Sequence, residues 1–357
     1  RRSFGISGTA LDWFQSYLSG RTQQVQVGDT SSSVNTVICG VPQGSVLGPI
    51  LFVLYTADLV ALIQRHNLSS HLYADDTQVY GTCRPSDVGI MVGRLSDCMD
   101  DIASWMAANR LQLNTGKSEL LWCHTSSRAC KPAPLHVGAD VITPTAVVRD
   151  LGLYLDSGMI FSHQIGLTVS RCFGTLRQLR SVRRYVTTPV FQSLVVALVL
   201  NRLDFGNSLY VGLPANQLRR LQSVQNAAAR LVFGLRRSEH ISDALICLHW
   251  LRVPERITFK VAALAYRAIH GQAPTYLSTF TSVSALAGRR ALRSSSTPDL
   301  VVSRTRLSTV GPRAFPVAGA AIWNSLPSHI ITSPSLTVPL PPKDIPFPKI
   351  ISWHYTL

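Results

Sequence analysis

Paired cysteines, lysine and long uninterrupted apolar sequence are all in short supply in this 357-residue chain, and each shortage removes a class of protein. The seven cysteines (Cys39, Cys83, Cys98, Cys123, Cys130, Cys172 and Cys247) are an odd number and never stand as Cys-x-x-Cys. No disulfide framework or zinc site is therefore legible. Their scattered, mostly apolar contexts fit reduced core thiols of an intracellular protein. No signal peptide is expected from the N-terminal residues. The apolar run 190–200 falls far short of the roughly 20 residues a membrane span needs, and the run 50–63 is interrupted by Asp58. A soluble, intracellular protein without a membrane partner is the expectation. Charged residues make up only 15% beside 46% hydrophobic ones, which allows a buried core and argues against global disorder.

Acidic residues are scarce in one half only. Residues 1–160 hold eleven Lys/Arg against thirteen Asp/Glu, a net −2. Residues 161–357 hold twenty-three against six, a net +17. A near-neutral half followed by a strongly basic one suits a polyanion partner. Arginine outnumbers lysine twenty-nine to five. Its planar fork matches phosphate and stacks on bases, although GC-rich codon usage would give the same bias.

What is present begins with two adjacent carboxylates, Asp75-Asp76. Leu72 and Tyr73 before them and Val79 and Tyr80 after them make two short β-prone runs, which read as a hairpin with acid at its tip. Two like charges side by side are costly without a cation, and hard cations such as Mg²⁺ take oxygen ligands. A lone Asp-Asp is more often a solvated turn. Here, however, a glycine-rich turn at 39–49 precedes it, with Gly40, Pro42, Gln43, Gly44 and Gly48. Gly40 and Gly44 permit backbone shapes that let a ligand approach closely, Pro42 stiffens the turn, and Gln43 offers both a donor and an acceptor.

Tyr73-Ala74-Asp75-Asp76, the turn at 40–49, residues 105–117 with Lys117, and residues 148–156 with Leu151-Gly152 together resemble reverse transcriptases, and most closely those of non-LTR (LINE-type) retrotransposons. Residues 4–21 resemble the helix that precedes the glycine-rich motif in that family. The resemblance implies an α+β fold: a palm of helices on an antiparallel sheet, incomplete and without fingers, followed by a mainly α-helical thumb and C-terminal region. It implies RNA-directed DNA synthesis with two Mg²⁺ ions, or Mn²⁺ in their place, held by Asp75 and Asp76. Pro42, Gln43, Gly44, Tyr73 and Ala74 would shape the nucleotide and template site. Lys117 would assist pyrophosphate departure, and Leu151 and Gly152 would form the primer grip. Arg177, Arg180, Arg183 and Arg184 crowd one helix and its end; beside a palm they would contact nucleic-acid backbone, although a charge run alone is as often a solvated face. The implied partners are an RNA template, a DNA primer duplex and deoxynucleotides, and the family's mechanism implies a nuclear location.

Periodicity predicts a helix over 1–20, strands over 23–28 and 33–40, a long helix from 50, and a helix over 85–109. Strands are expected around 119–123, 135–137 and 151–155. Helices are expected over 164–184, 187–201 and 213–235, with a loose connection over 277–309. The domain expectation is a partial palm at 1–160, a helical thumb-like region at 161–240, a helical region at 241–330 and a Pro-rich tail at 331–357. Segments 248–260, 311–315 and 321–327 share the resemblance without an assigned role. Two departures stand out. The family has another catalytic aspartate before the pair, and the chain is expected to begin after it. From Ser333 onward six prolines forbid the basic amphipathic helix of the family, which suggests a frameshift or degenerate copy. The rival reading is a catalytically dead fragment that binds nucleic acid. A viral RNA-copying polymerase is disfavoured by Ala74, because those enzymes usually carry Gly before the pair.

Overall fold

The computed structural model describes residues 5–41, 44–124, 133–286 and 298–331. These divide into two compact units, one built on residues 5–120 and 133–144, the other on 121–124 and 145–331. The Pro-rich tail and the departure read from Ser333 onward lie outside the described residues.

In the first unit, α1 (Thr9–Leu18) is followed by four short strands, β1 (Thr22–Gln23), β2 (Gln26–Val27), β3 (Thr30–Ser31) and β4 (Asn35–Thr36). They pair as a nested ladder, β2 with β3 inside β1 with β4. The expected strands at 23–28 and 33–40 are therefore fragments, because every residue of β1 to β4 is exposed and none of them buries an apolar face to extend the pairing.

The long helix expected from residue 50 divides into α2 (Gly48–Tyr55) and α3 (Asp58–Arg65). Thr56 turns back on the helix it ends, donating Oγ1–H to Phe52 O at 3.0 Å, and Asp58 opens α3 in its first turn. By length and composition, 48–65 would suffice to cross a membrane. In the structure α3 instead buries Leu59, Leu62 and Ile63, the i, i+3, i+4 stripe of a core-facing helix.

That stripe packs on α4 (Val88–Ala108) and on the first strand of the hairpin β5 (Ser69–Tyr73) and β6 (Asp76–Tyr80). Helix α4 buries Val88, Met91, Cys98 and Ile102 on this side. Burial, and secondarily the charge of Asp101, push the Cys98 thiol up to about 11. Another part of α4, with Leu95 and Met99, meets Leu135, Val137 and Ile142. Those three come from the small hairpin at 135–142.

The second unit is mainly helical. After a hairpin of strands Val147–Asp150 and Leu153–Asp156 come α5 (Ser162–Val182), α6 (Thr188–Val195), α7 (Asn201–Asp204), α8 (Ala215–Phe233), α9 (Ser242–Cys247), α10 (Val253–Ile269), α11 (Phe315–Asn324) and α12 (Ser328–Ile331). Helices α6 and α7 are joined by a π-helical segment, Val196–Leu200. The core is Ile165, Cys172, Leu176 and Leu179 of α5 against Phe191, Val195, Leu221, Val224, Ala228 and Val232.

Segments that resembled the family without a role find one in packing. Gln225 on α8, wholly buried, donates Nε2–H to Leu251 O at 2.7 Å. Arg252 and Glu255 form a capping box at the start of α10. Arg256, 8% exposed, forks onto Asp204, with Nε donating to Oδ1 at 2.7 Å and Nη2 to Oδ2. Asn324 is bonded to both backbone groups of Leu300, at 2.8 and 2.9 Å, and Trp323 Nε1 donates to Pro298 O at 3.1 Å. Trp323 sits in a small core with Ala265, Tyr266, Leu300 and Ala320.

Candidate active site

Strands β5 and β6 are antiparallel, with Tyr73 opposite Asp76. The loop is thus two residues, Ala74 and Asp75, and Asp76 is the first residue of the returning strand. Both carboxylates are exposed at the tip. Ala74 has φ 52°, a region that costs a residue with a Cβ about 1–2 kcal/mol. The hairpin tolerates this because its base is braced. Tyr80 and His71 stack at 5.1 Å, with their Oη and Nε2 atoms 3.0 Å apart, and Leu68 just before β5 is buried. Tyr73 stands 68% exposed beside the acids, an aromatic face open to a ligand.

The glycine-rich turn is fastened by residues the sequence did not single out. Tyr17 of α1 donates its hydroxyl to Ser45 Oγ at 2.8 Å, and the same oxygen accepts Gly48 N–H at 3.0 Å at the start of α2. Arg21 Nη2 donates to Gly40 O. Gly44 is exposed at φ 80°, whereas Pro42 and Gln43 lie outside the described residues. Lys117 is exposed at the end of a 3₁₀ turn, Thr115–Lys117, in the same unit.

The second unit holds the other candidates. Leu151 and Gly152 form the two-residue loop between Asp150 and Leu153, with φ 43° and 83°. Positive φ at both positions matches the right-handed twist of the strands. Arg177, Arg180 and Arg184 are exposed on α5 and the 3₁₀ turn after it, and the Arg184 guanidinium lies 4.7 Å from the Tyr185 ring centroid. Arg183 is placed differently. It donates to Val186 O, Thr188 Oγ1 and Val232 O at 3.4, 3.0 and 3.2 Å and lies over Phe191, so its guanidinium fastens α5 to α6 and α8.

A metal must be held by what is present at the hairpin tip. Hard carboxylate oxygens suit Mg²⁺ or Mn²⁺, and Mg²⁺ is commonly held by one or two carboxylates, with water and substrate phosphates completing the shell. Asp75 and Asp76 fit that pattern for one ion. Among the described residues no group of three or more His, Cys, Asp or Glu comes together.

The comparisons with known proteins bear directly on this arrangement. A family model described as reverse transcriptase (RNA-dependent DNA polymerase) matches residues 1–138, which includes the glycine-rich turn, the acidic hairpin and Lys117. Residues 1–138 are thus similar to reverse transcriptases. Three Drosophila melanogaster proteins are similar over a longer stretch. The probable RNA-directed DNA polymerase from transposon BS is 26% identical over 230 residues, 61% of this chain and 25% of that protein. Its counterpart from transposon X-element is 26% identical over 227 residues, 62% and 24%. The RNA-directed DNA polymerase from mobile element jockey is 23% identical over 229 residues, 62% and 24%. The likeness to LINE-type enzymes read from the motifs therefore stands. The chain spans about a quarter of the length of these relatives. No solved structure matches it.

Proposed function

We propose that this chain carries the nucleotidyl-transfer site of a non-LTR transposon RNA-directed DNA polymerase. The reading rests above all on the exposed Asp75-Asp76 pair in a braced two-residue hairpin, beside Tyr73 and in the same unit as the glycine-rich turn. Reverse transcriptases as a family depend on divalent metal and act on nucleic-acid templates and nucleotides. In the reaction, a primer 3′-oxygen bonds to the α-phosphorus of a deoxynucleotide while the α–β phosphoanhydride breaks and pyrophosphate leaves. A divalent ion on Asp75 and Asp76 would supply neutralisation of the charge that develops on the phosphates. Pro42, Gln43, Gly44, Tyr73 and Ala74 would shape the nucleotide and template site. Lys117 would give a proton to the departing pyrophosphate. Leu151 and Gly152 would hold the primer end, and Arg177, Arg180 and Arg184 would contact duplex phosphates, which fixes position without reading sequence. On this reading residues 1–160 are palm and 161–240 thumb, and the protein works in the nucleus.

A second reading, binding without catalysis, is favoured by the net +17 of residues 161–357, which suits a polyanion without requiring chemistry. The two separate in a primer-extension assay on an RNA template with Mg²⁺ and deoxynucleotides, comparing the chain with its Asp75→Ala, Asp76→Ala double variant. Extension that the double variant loses supports the polymerase. No extension from either, with salt-sensitive duplex binding retained, supports the binding fragment.

A further inference from the structure

We propose that Arg313, 162 residues beyond the primer-grip turn and outside the span of the family model, is a positioning residue for the primer end. The proposal rests on the reading of Leu151-Gly152 as the place where that end is held. Arg313 closes the 3₁₀ turn Gly311–Arg313, one of the segments with no assigned role. Its side chain leaves its own segment for Val211 and for Phe161, five residues past the end of the hairpin. Nε donates to Val211 O at 3.3 Å, and the guanidinium lies 5.7 Å from the centroid of Phe161, whose ring meets Tyr210 edge-on at 5.6 Å. The aliphatic stem occupies the place a side chain at 212 would need. A Cβ on Gly212 would stand 2.8 Å from Arg313 Cγ, at φ 69°, so only glycine admits this stem.

The charge has a purpose at this point. Asp156 ends the second strand of the hairpin, 8% exposed. Its Oδ1 accepts Ile160 N–H at 2.8 Å, while its Oδ2 is buried with no hydrogen-bond partner. A buried carboxylate oxygen without a donor is costly unless a cation is near, and the field of Asp156 favours the charged form of Arg313 against the cost of its burial.

The hairpin is also held elsewhere. Tyr154 N–H donates to Gln164 Oε1 at 3.1 Å, and the Phe205 ring lies 3.5 Å from where a Cβ on Gly152 would stand. Arg313 therefore braces the segment around Phe161, which is tied through Ile160 and Asp156 to one end of a strand whose other end leads into the Leu151-Gly152 turn. A four-residue strand transmits a shift at its base to its tip, because its backbone bonds move as a unit.

The test is hydrogen exchange, read by mass spectrometry, on the full chain and its Arg313→Ala, Arg313→Met and Arg313→Lys variants. Amides of 147–156 should exchange about tenfold faster in Ala and Met, with Lys near the parent and amides of α8 unchanged. Unchanged exchange at 147–156 in Ala, or equal acceleration throughout α8 in all three variants, would overturn the proposal. A second arm measures binding of a labelled RNA–DNA duplex with a recessed 3′ end against a blunt one. The parent should prefer the recessed end, and Arg313→Ala should lose that preference while keeping overall duplex affinity. A preference that survives in Arg313→Ala overturns the positioning role. A parent with no preference sinks the reading of the hairpin as a primer site, while the exchange arm still decides whether Arg313 holds it.

Discussion

Replacing Asp204 should strongly destabilise the second unit. Arg256 reaches it from α10 with two N–H groups, and the Arg256 side chain is 9% exposed. Asn207 Nδ2 donates to the same Oδ1 at 3.0 Å. Asp204→Ala leaves a buried guanidinium without its carboxylate, a loss that costs about 3–5 kcal/mol when the pair is fully enclosed. The Asp204 side chain retains 26% exposure, so water entering the gap offsets part of this and the lower end, about 3 kcal/mol, is expected. Arg256→Met should cost about 1 kcal/mol, because the carboxylate left behind is the partner that water already reaches. The chain has two units, so a single unfolding midpoint would mix two events. The assay is therefore hydrogen exchange at the slowest amides of α7 and α10, where about 3 kcal/mol appears as roughly a hundredfold acceleration. An acceleration under about threefold in Asp204→Ala, or one equal to that of Arg256→Met, would refute the reasoning.

Other changes test other parts of the structure. Gln225→Leu strands the Leu251 carbonyl and should cost about 1–3 kcal/mol, visible as loss of protection in α8 and α10. Arg177→Gln, Arg180→Gln and Arg184→Gln should each lower the slope of log affinity against log salt for a duplex by about 1, whereas Arg183→Gln should lower stability and leave that slope nearly unchanged. The thiols of Cys98 and Cys172 are pushed up to about 11, chiefly by burial, from an ordinary 9.0. The folded state keeps these protons while the unfolded chain gives them up, so stability present below pH 9 is lost as pH rises to about 11. Amide exchange followed from pH 8 to 11, after correction for the intrinsic rate, checks the sign. At pH 8 an alkylating reagent should label the exposed Cys39 and Cys247 and spare both buried thiols.

Sequence alone carried the acidic hairpin because its signals are local. Tyr73-Ala74-Asp75-Asp76 lies between two runs that can only pair with each other across a short loop, so the hairpin and its acidic tip follow from ten residues. Helices α5, α6 and α8 were legible for a similar reason. Each repeats its apolar positions every 3.6 residues, and Pro189 stands in the first turn of α6, where its missing N–H costs nothing. The split between α2 and α3 was half visible: Asp58 marked the interruption, but the turn itself depends on Thr56 bonding back to Phe52.

The fasteners were not legible, and their sequence separations explain it. Arg183 looked like one of four equivalent cations. Only the fold shows that Val232 O, 49 positions away, is its acceptor and that the other three arginines are left to solvent. Arg313 meets Val211 across 102 positions, and Arg256 meets Asp204 across 52. No periodicity encodes such pairs, since each depends on two helices arriving at one place. Yet all three arginines belong to the basic half that suggested a polyanion partner. Part of that charge is spent inside the protein, Arg183 and Arg313 on backbone carbonyls and Arg256 on Asp204, a carboxylate that would otherwise be costly to bury. Net charge therefore overstates the cationic surface offered to nucleic acid, and the salt dependence of binding is the quantity that counts the arginines still free to meet phosphate.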